Sequence, residues 1–409
     1  MRTAEATKNM AKTSTRATIR RSDAPARVSR RTILAGTGLT LAAAAAPSVL
    51  APTAASAQTA TASPLTAVSG DLTAFRAALA NRFFSRCNIA VVGDSISEGQ
   101  GATAVASRSV NRLADSLRLR FPVPGVAGGQ GFLPAQFATT SLPAPAAVFG
   151  SPALNAGFGP GWRCRQITGS QSYTFTVTAT SVDVVYATGS GGGAMGVSID
   201  NGPVQTINTY RTALADGVVS HFATGGSGQH TVTITSVSGT VFLDGIVIYN
   251  GDESSGITVH DCSHYGSTLH QWAQSSSAIT SEWLGALAPS LIVFELGVND
   301  YHGQQSLTTF TNDLATMSNV FNTLPTSPSV LVVIDYDAFN MTGTLWSSYV
   351  ALYQTWAAAN GYAVLDLTQR MPATNTTKSF GLYAPDNIHP SNTGHSFIAD
   401  AIAGLLTAR

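Results

Sequence analysis

The sequence predicts a parallel α/β sheet with helices on both faces, interrupted once by an all-β module. Unbroken apolar runs ending in glycine or polar turns recur at Ile89–Val92, Ile257–His260, Leu291–Leu296, Val330–Asp335 and Tyr362–Leu367. Parallel strands buried on both faces read this way. Helical periodicity fills the spaces between the later runs, as a βα alternation requires. The first two runs, however, lie roughly 160 residues apart, where a crossover needs only about a dozen.

In chain order, the first segment is basic and small-residue rich. Arg30-Arg31 stands directly before the alanine-rich run Ile33–Ala46, and Ala55-Ser56-Ala57 follows. This predicts a twin-arginine signal peptide over 1–57, cleaved before Gln58 and exporting a mature chain to the extracellular side. The run is too short to span a bilayer comfortably, and no cysteine sits at the cleavage point, so no stable membrane anchor is expected. The first 57 residues hold nine Lys/Arg and two Asp/Glu; the remainder holds 13 basic and 20 acidic residues, a net charge of −7. An acidic body without a basic stripe excludes nucleic acid as the expected partner. At 44% hydrophobic and 11% charged residues, the chain has ample material for a core.

An Ala/Thr/Ser linker over 58–71 leads to a short amphipathic helix at Leu72–Phe84 and the first apolar run. Within the long gap, after the Gly/Pro/Ala-rich stretch Gly125–Pro160, come Ser172–Thr178, Ser181–Ala187, Met195–Ile199, Pro203–Asn208, Val218–Ala223, His230–Ser236 and Thr240–Tyr249, separated by Gly/Ser/Asn/Asp turns. Short β-prone runs at that spacing predict an antiparallel sandwich. The expected organisation is an α/β domain over 72–140 and 251–409, with the sandwich inserted at 141–250. The formal GxGxxG match at Gly191–Gly196 precedes a strand-like run instead of a helix, so it reads as a hairpin turn. Helical spacing recurs at Ser306–Leu324, Leu345–Ala359 and Gly394–Leu406.

Two polar segments stand at predicted strand ends, Gly93-Asp94-Ser95 and Gly297-Val298-Asn299-Asp300, and a third, Asp386-Asn387-Ile388-His389-Pro390, comes just before the last predicted helix. Groups at the carboxyl ends of parallel strands converge on one crevice. A serine there needs a base to become nucleophilic, and a histidine three residues after an aspartate can be oriented by that carboxylate. Taken alone, each segment reads as a turn or a cap. Their joint occurrence, in this order, points to Ser95, His389 and Asp386 as nucleophile, general base and orienter. The absence of a GxSxG elbow argues against an α/β-hydrolase.

In these blocks the chain resembles the SGNH/GDSL hydrolase (esterase) family, whose segments are GDS, a glycine in an N-x-x-x-x-G-x-T-like stretch, G-x-N-D, and D-x-x-H-P. The resemblance covers Ile89–Gln100 and Ile257–Arg409 and leaves the β-rich interval outside. It implies the flavodoxin-like three-layer α/β/α arrangement of the SGNH hydrolase fold, with the insert jelly-roll-like. It also implies an oxyanion hole made by the backbone N–H of Ser95, the backbone N–H of Gly266 and the side-chain amide of Asn299. The glycine block is Asp261–Thr268, with Asp261 where the family has asparagine; Val126-Ala127-Gly128-Gly129 is a competing match. Tyr301 and His302, next to Asn299, are expected to line the substrate pocket.

The implied activity is hydrolysis of carboxylic esters without a cofactor or metal. The favoured substrate is an O-acyl, foremost acetyl, group on extracellular carbohydrate such as an acylated polysaccharide. A lipase or short-chain esterase, an acyltransferase and a non-catalytic glycan-binding protein remain as alternatives. Two further observations stay open. Cys87, Cys164 and Cys262 allow at most one internal disulfide. His260, Cys262 and His264 alternate along a strand end, but no second cluster completes a zinc site.

Overall fold

In a computed structural model, residues 70–135, 146–149, 152–251, 253–274, 277–374 and 380–408 are described. The expected signal segment 1–57 lies outside these residues, as does all of the linker except its last two positions.

The α/β part opens with α1 (Thr73–Ala80), β1 (Cys87–Gly93), α2 (Ser95–Glu98) and α3 (Ser109–Arg120). An antiparallel region follows: β2 (Gly131–Pro134), β3 (Ala146–Phe149), β4 (Ala153–Ala156), β5 (Arg163–Thr168), β6 (Ser172–Thr188), β7 (Ala194–Ile199), β8 (Gln205–Asn208), β9 (Ala215–Ser238) and β10 (Thr240–Tyr249). The chain then returns through β11 (Ile257–Asp261), α4 (Leu269–Gln274), α5 (Ser277–Ala286), β12 (Leu291–Glu295), α6 (Val298–His302), α7 (Leu307–Thr323), β13 (Ser329–Ile334), α8 (Trp346–Asn360), β14 (Ala363–Asp366) and α9 (Asn392–Thr407).

Five strands form a wholly parallel sheet in the order β11-β1-β12-β13-β14. Every residue of these five strands is buried, which is why the sequence shows them as unbroken apolar runs. Counted along the chain, the order is 2-1-3-4-5, so the winding direction reverses between β1 and β12. At such a switch point the two flanking loops part and leave a crevice at the carboxyl ends of the strands. The helices bury one stripe each: α3 packs on α9, and α7 on α4, α5 and α8.

Nine further strands form a separate antiparallel sheet along β4-β5-β10-β6-β9-β7-β8, with β2 on β10 and β3 on β6. Its apolar residues, among them Tyr173, Phe175, Val232, Ile234 and Leu243, close around a core of their own. The antiparallel region takes in Gly131–Pro134, ahead of the boundary expected at residue 140, since Gly131 pairs with Ile248. Phe132, Val185, Val247 and Tyr249 belong to the core of the parallel sheet, so the two regions share packing. Two pairs of runs read from sequence as separate strands are continuous: β6 and β9 each carry on past an irregularity in their pairing near residues 179–181 and 223–228.

Cys87, Cys164 and Cys262 are all buried and unpaired. Among the described residues no helix is long and apolar enough to cross a membrane.

Candidate active site

Three loops at the carboxyl ends of β1, β11 and β12 meet the loop that precedes α9. Beyond β1, Asp94 Oδ1 accepts the Ile96 N–H at 2.9 Å and caps α2, so the chain turns sharply at Ser95. Ser95 is left 8% exposed at the base of a cavity of about 220 Å³. Gln100, Gly266, Asn299, Phe339 and His389 share its lining.

His389 Nε2 stands 2.9 Å from Ser95 Oγ, and Nδ1 lies 2.6 Å from Asp386 Oδ2. The turn that holds the pair follows from local chemistry. Asp386 Oδ1 accepts the N–H groups of both Ile388 and His389 at 3.0 Å, and Asn387 sits in the left-handed region at φ +55°, which asparagine tolerates. The Tyr336 hydroxyl donates to Ile388 O at 2.7 Å and fixes the turn from below. Burial alone would raise the Asp386 carboxyl. The N–H groups of Ile388 and His389 and the imidazole outweigh it and hold the group below the usual carboxylate value. An ionised carboxylate accepts the Nδ1 proton and leaves Nε2 free to accept the one on Ser95.

Gly266 and Asn299, for which the resemblance implies a donor role beside Ser95, line the same cavity as that serine. The N–H groups of Ser95 and Gly266 make no backbone hydrogen bond among the described residues. Gly266 has φ +68° and nothing within 4 Å of where a Cβ would stand, so the conformation, not crowding, calls for glycine. The Asn299 amide donates to Ser267 O at 2.9 Å and, more loosely, to Asp94 Oδ2 at 3.3 Å. The competing glycines lie elsewhere: Gly128 is against Arg118 and Gly129 against Ile248. Asp261, at the position where asparagine was expected, forms a buried ion pair with Arg108.

Beneath the site lies a buried acidic layer with no counterpart in the sequence reading. Asp94, Glu295 and Asp335, from the ends of β1, β12 and β13, are each 1% exposed. Burial pushes Asp94 up to about 8, an effect eased by the Ile96 N–H and increased by the charges of Glu295 and Asp300. Burial also raises Glu295 and Asp335. Asp300 caps α4 through the N–H groups of Leu269 and His270, at 2.6 and 3.1 Å; burial still lifts it to about 6.

Two expectations need correction. Tyr301 does not line the cavity: it is 1% exposed, packs on Trp346 and Tyr349, and its hydroxyl accepts the Met341 N–H at 2.7 Å. On α6, a residue two positions from Asn299 is turned about 200° away. His302, three positions on, is exposed and is not among the residues that line the cavity; it stacks at 4.2 Å on Phe339, which is among them. Phe339 was missed, being remote in sequence from every motif. The side chains of the alternating His260, Cys262 and His264 point to different contacts: His260 Nδ1 accepts the Phe132 N–H at 3.1 Å, the Cys262 thiol donates to the backbone oxygen of His260 at 3.7 Å, and His264 contacts Ser267 and Arg163.

Residues 252–397 match the GDSL-like Lipase/Acylhydrolase family. A structure of a peptidoglycan O-acetylesterase is similar, with a TM-score of 0.60 at 14% identity, over 82% of this chain and 96% of the other. That likeness shows a shared fold. A two-domain esterase active on acetylated mannans gives a TM-score of 0.42 at 12% identity, over 82% and 53%. A family two carbohydrate esterase from Cellvibrio japonicus gives 0.28 at 14%, over 64% and 94%. No curated protein sequence matches the chain.

Proposed function

We propose that this carboxylic ester hydrolase, which carries a GDSL/SGNH lipase–acylhydrolase domain, removes O-acyl groups, acetyl foremost, from extracellular carbohydrate. The observation that carries the reading is the relay Ser95 Oγ, His389 and Asp386, with contacts of 2.9 and 2.6 Å at the base of a small cavity. Ser95 Oγ attacks the ester carbonyl carbon while His389 Nε2 takes its proton. The carbonyl oxygen becomes an oxyanion, met by the N–H groups of Ser95 and Gly266 and the Asn299 amide. The C–O bond to the sugar breaks as His389 returns the proton to the leaving oxygen. Water, deprotonated by His389, then attacks the acyl carbon; the bond to Ser95 Oγ breaks, the acid leaves, and His389 returns the proton to Ser95 Oγ.

A cavity of about 220 Å³ favours a short acyl chain over a lipid tail. The fold shared with a peptidoglycan O-acetylesterase supports carbohydrate as the alcohol side. Export through the twin-arginine route, from the Arg30-Arg31 signal, fits a polymer outside the cell. The 2-1-3-4-5 strand order supports a flavodoxin-like three-layer arrangement. The separate core and the Gly131–Ile248 pairing support a jelly-roll-like sandwich inserted into one crossover.

The test is acyl release from nitrophenyl esters of increasing chain length and from acetylated polysaccharides, by wild type and Ser95→Ala. Acetyl should be preferred, acetate should be released from polymer, and Ser95→Ala should lose about 10⁶-fold in turnover. Near-normal turnover by Ser95→Ala would sink the nucleophile assignment. A preference for long acyl chains would replace the carbohydrate reading with a lipase.

A further inference from the structure

The antiparallel region touches the site at one corner. Pro160 and Gly161 are buried there, and a Cβ on Gly161 would stand 3.0 Å from Ser267 Oγ and 3.3 Å from His264 Cβ. Gly161 has φ +58° and the next residue, Trp162, φ +66°, a conformation unfavourable for a bulky side chain. The corner is anchored from behind, where the Gly159 N–H donates to Asp216 Oδ2 at 2.8 Å and the Asp216 N–H to Glu282 Oε2 at 3.1 Å. A strained backbone so held, against the turn that carries Gly266, calls for a reason.

The reason lies in the residue that follows. Arg163 NH1 is 3.3 Å from His264 Nε2, and its guanidinium carbon lies 5.8 Å from the centre of the Tyr265 ring. Proton counting fixes the direction of each bond. The Ser267 hydroxyl donates its one proton to His264 O at 2.6 Å, so its oxygen accepts from His264 Nδ1 at 3.1 Å. The imidazole proton is therefore on Nδ1, and Nε2 offers its lone pair to Arg163. Ser267 O in turn accepts the Asn299 amide at 2.9 Å. On the other side of the turn, Glu98 Oε2 holds the Tyr265 N–H at 2.7 Å. Burial and the neighbouring guanidinium bring His264 down to about 3, so it stays neutral and able to accept.

We infer that Arg163 is a positioning residue for ester hydrolysis: acting through His264 and Ser267, it fixes the turn that presents the Gly266 N–H and orients the Asn299 amide. The antiparallel region thus takes part in catalysis, beyond any role in holding a polymer. This inference rests on the esterase reading above.

The test uses the full chain and nitrophenyl acetate, a substrate with no polymer chain for the antiparallel region to hold. Arg163→Ala should lower kcat about ten- to a hundredfold, as expected when oxyanion donors are displaced instead of removed, with KM within about threefold. Arg163→Lys should recover a large part of the loss and Arg163→Met should not. Amide hydrogen exchange at Tyr265 and Ser267 should quicken about tenfold in Arg163→Ala, while β13 amides stay protected. Should Arg163→Ala not fold, Arg163→Met and Arg163→Gln carry the same comparison. A kcat within twofold of wild type, a rise in KM alone, or unchanged exchange at Tyr265 and Ser267 would each overturn the inference. The exchange measurement needs no turnover. Failure of the esterase reading would show separately, as turnover retained in Ser95→Ala.

Discussion

Replacing Asn299 with alanine tests the oxyanion reading most directly. Its amide makes two contacts in the free site, 2.9 Å to Ser267 O and 3.3 Å to Asp94 Oδ2. The first holds the side chain in place. The second is long, and its acceptor is a carboxyl raised to about 8, hence largely protonated at neutral pH and a poor acceptor. An oxyanion forming at the reacting carbon is a far better partner for that N–H than either Asp94 or the neutral ester. Losing one such donor costs about 10²–10³ in kcat, or about 2.7–4 kcal/mol, whereas KM should stay within about threefold. The variant also leaves Ser267 O without that donor, at a stability cost of about 1–3 kcal/mol, so circular dichroism should accompany the kinetics. Steady-state rates on nitrophenyl acetate read the split. A rise in KM at constant kcat, or a loss in kcat below tenfold, would refute the assignment and make Asn299 a binding residue.

Tyr301→Phe should leave KM unchanged, because its hydroxyl serves Met341 and not the cavity, and should cost about 1–3 kcal/mol of stability in thermal melts; a raised KM would return Tyr301 to the pocket. Stability should fall as pH rises from neutral to mildly alkaline values. Asp94, raised from 3.8 to about 8, contributes stability that is present at low pH and lost as pH rises through 8. His260 and His264, lowered from 6.5 to about 3, and His395, lowered to about 4, contribute stability present above 6.5 and lost as pH falls toward those values. Asp300, raised to about 6, opposes the histidines in part of that acid window. Glu295 and Asp335, also raised by burial, act in the same direction as Asp94. Above about pH 6.5 the histidines no longer change while the raised carboxyls do, so the melting temperature should fall between about pH 6.5 and 8; a rise over that interval would contradict these assignments.

What was legible in the sequence and what was not divides along physical lines. Strands of a parallel sheet are buried on both faces, so Ile89–Val92 or Leu291–Leu296 announces itself without knowledge of neighbours. The polar blocks that end them were legible for the same reason: each breaks an apolar run. Helix α3 left a signal that was passed over, since Val110, Leu113, Ala114 and Leu117 keep helical spacing among three arginines and the serines. β2 and β5 are short and take their places through pairing with distant strands, β2 with β10 and β5 with β4 and β10, which no local pattern foretells. β9 was divided because Gly225, Gly226 and Gly228 mimic a turn within a strand that continues. Tyr301 was misread by treating sequence adjacency as spatial adjacency on a helix. Arg163 could not have been found, because its importance depends on a contact with a residue about a hundred positions away.

The pairing of Gly131–Pro134 with Gly245–Ile248 has a consequence for the order in which the chain assembles. β1 lies beside β11, yet about 160 residues separate them, a loop that is slow and entropically costly to close. Once β2 has found β10, the open path between β1 and β11 shrinks to about 45 residues, which lowers the closure cost by roughly 1 kcal/mol. The β2–β10 pair thus works as a clasp, and a chain that fastens it late leaves the apolar edge of β1 bare in the meantime. A strand edge in that state is open to pairing with other copies of the chain. Refolding yield should therefore depend on how early the antiparallel region forms, even for substitutions that leave the finished fold and its site unchanged.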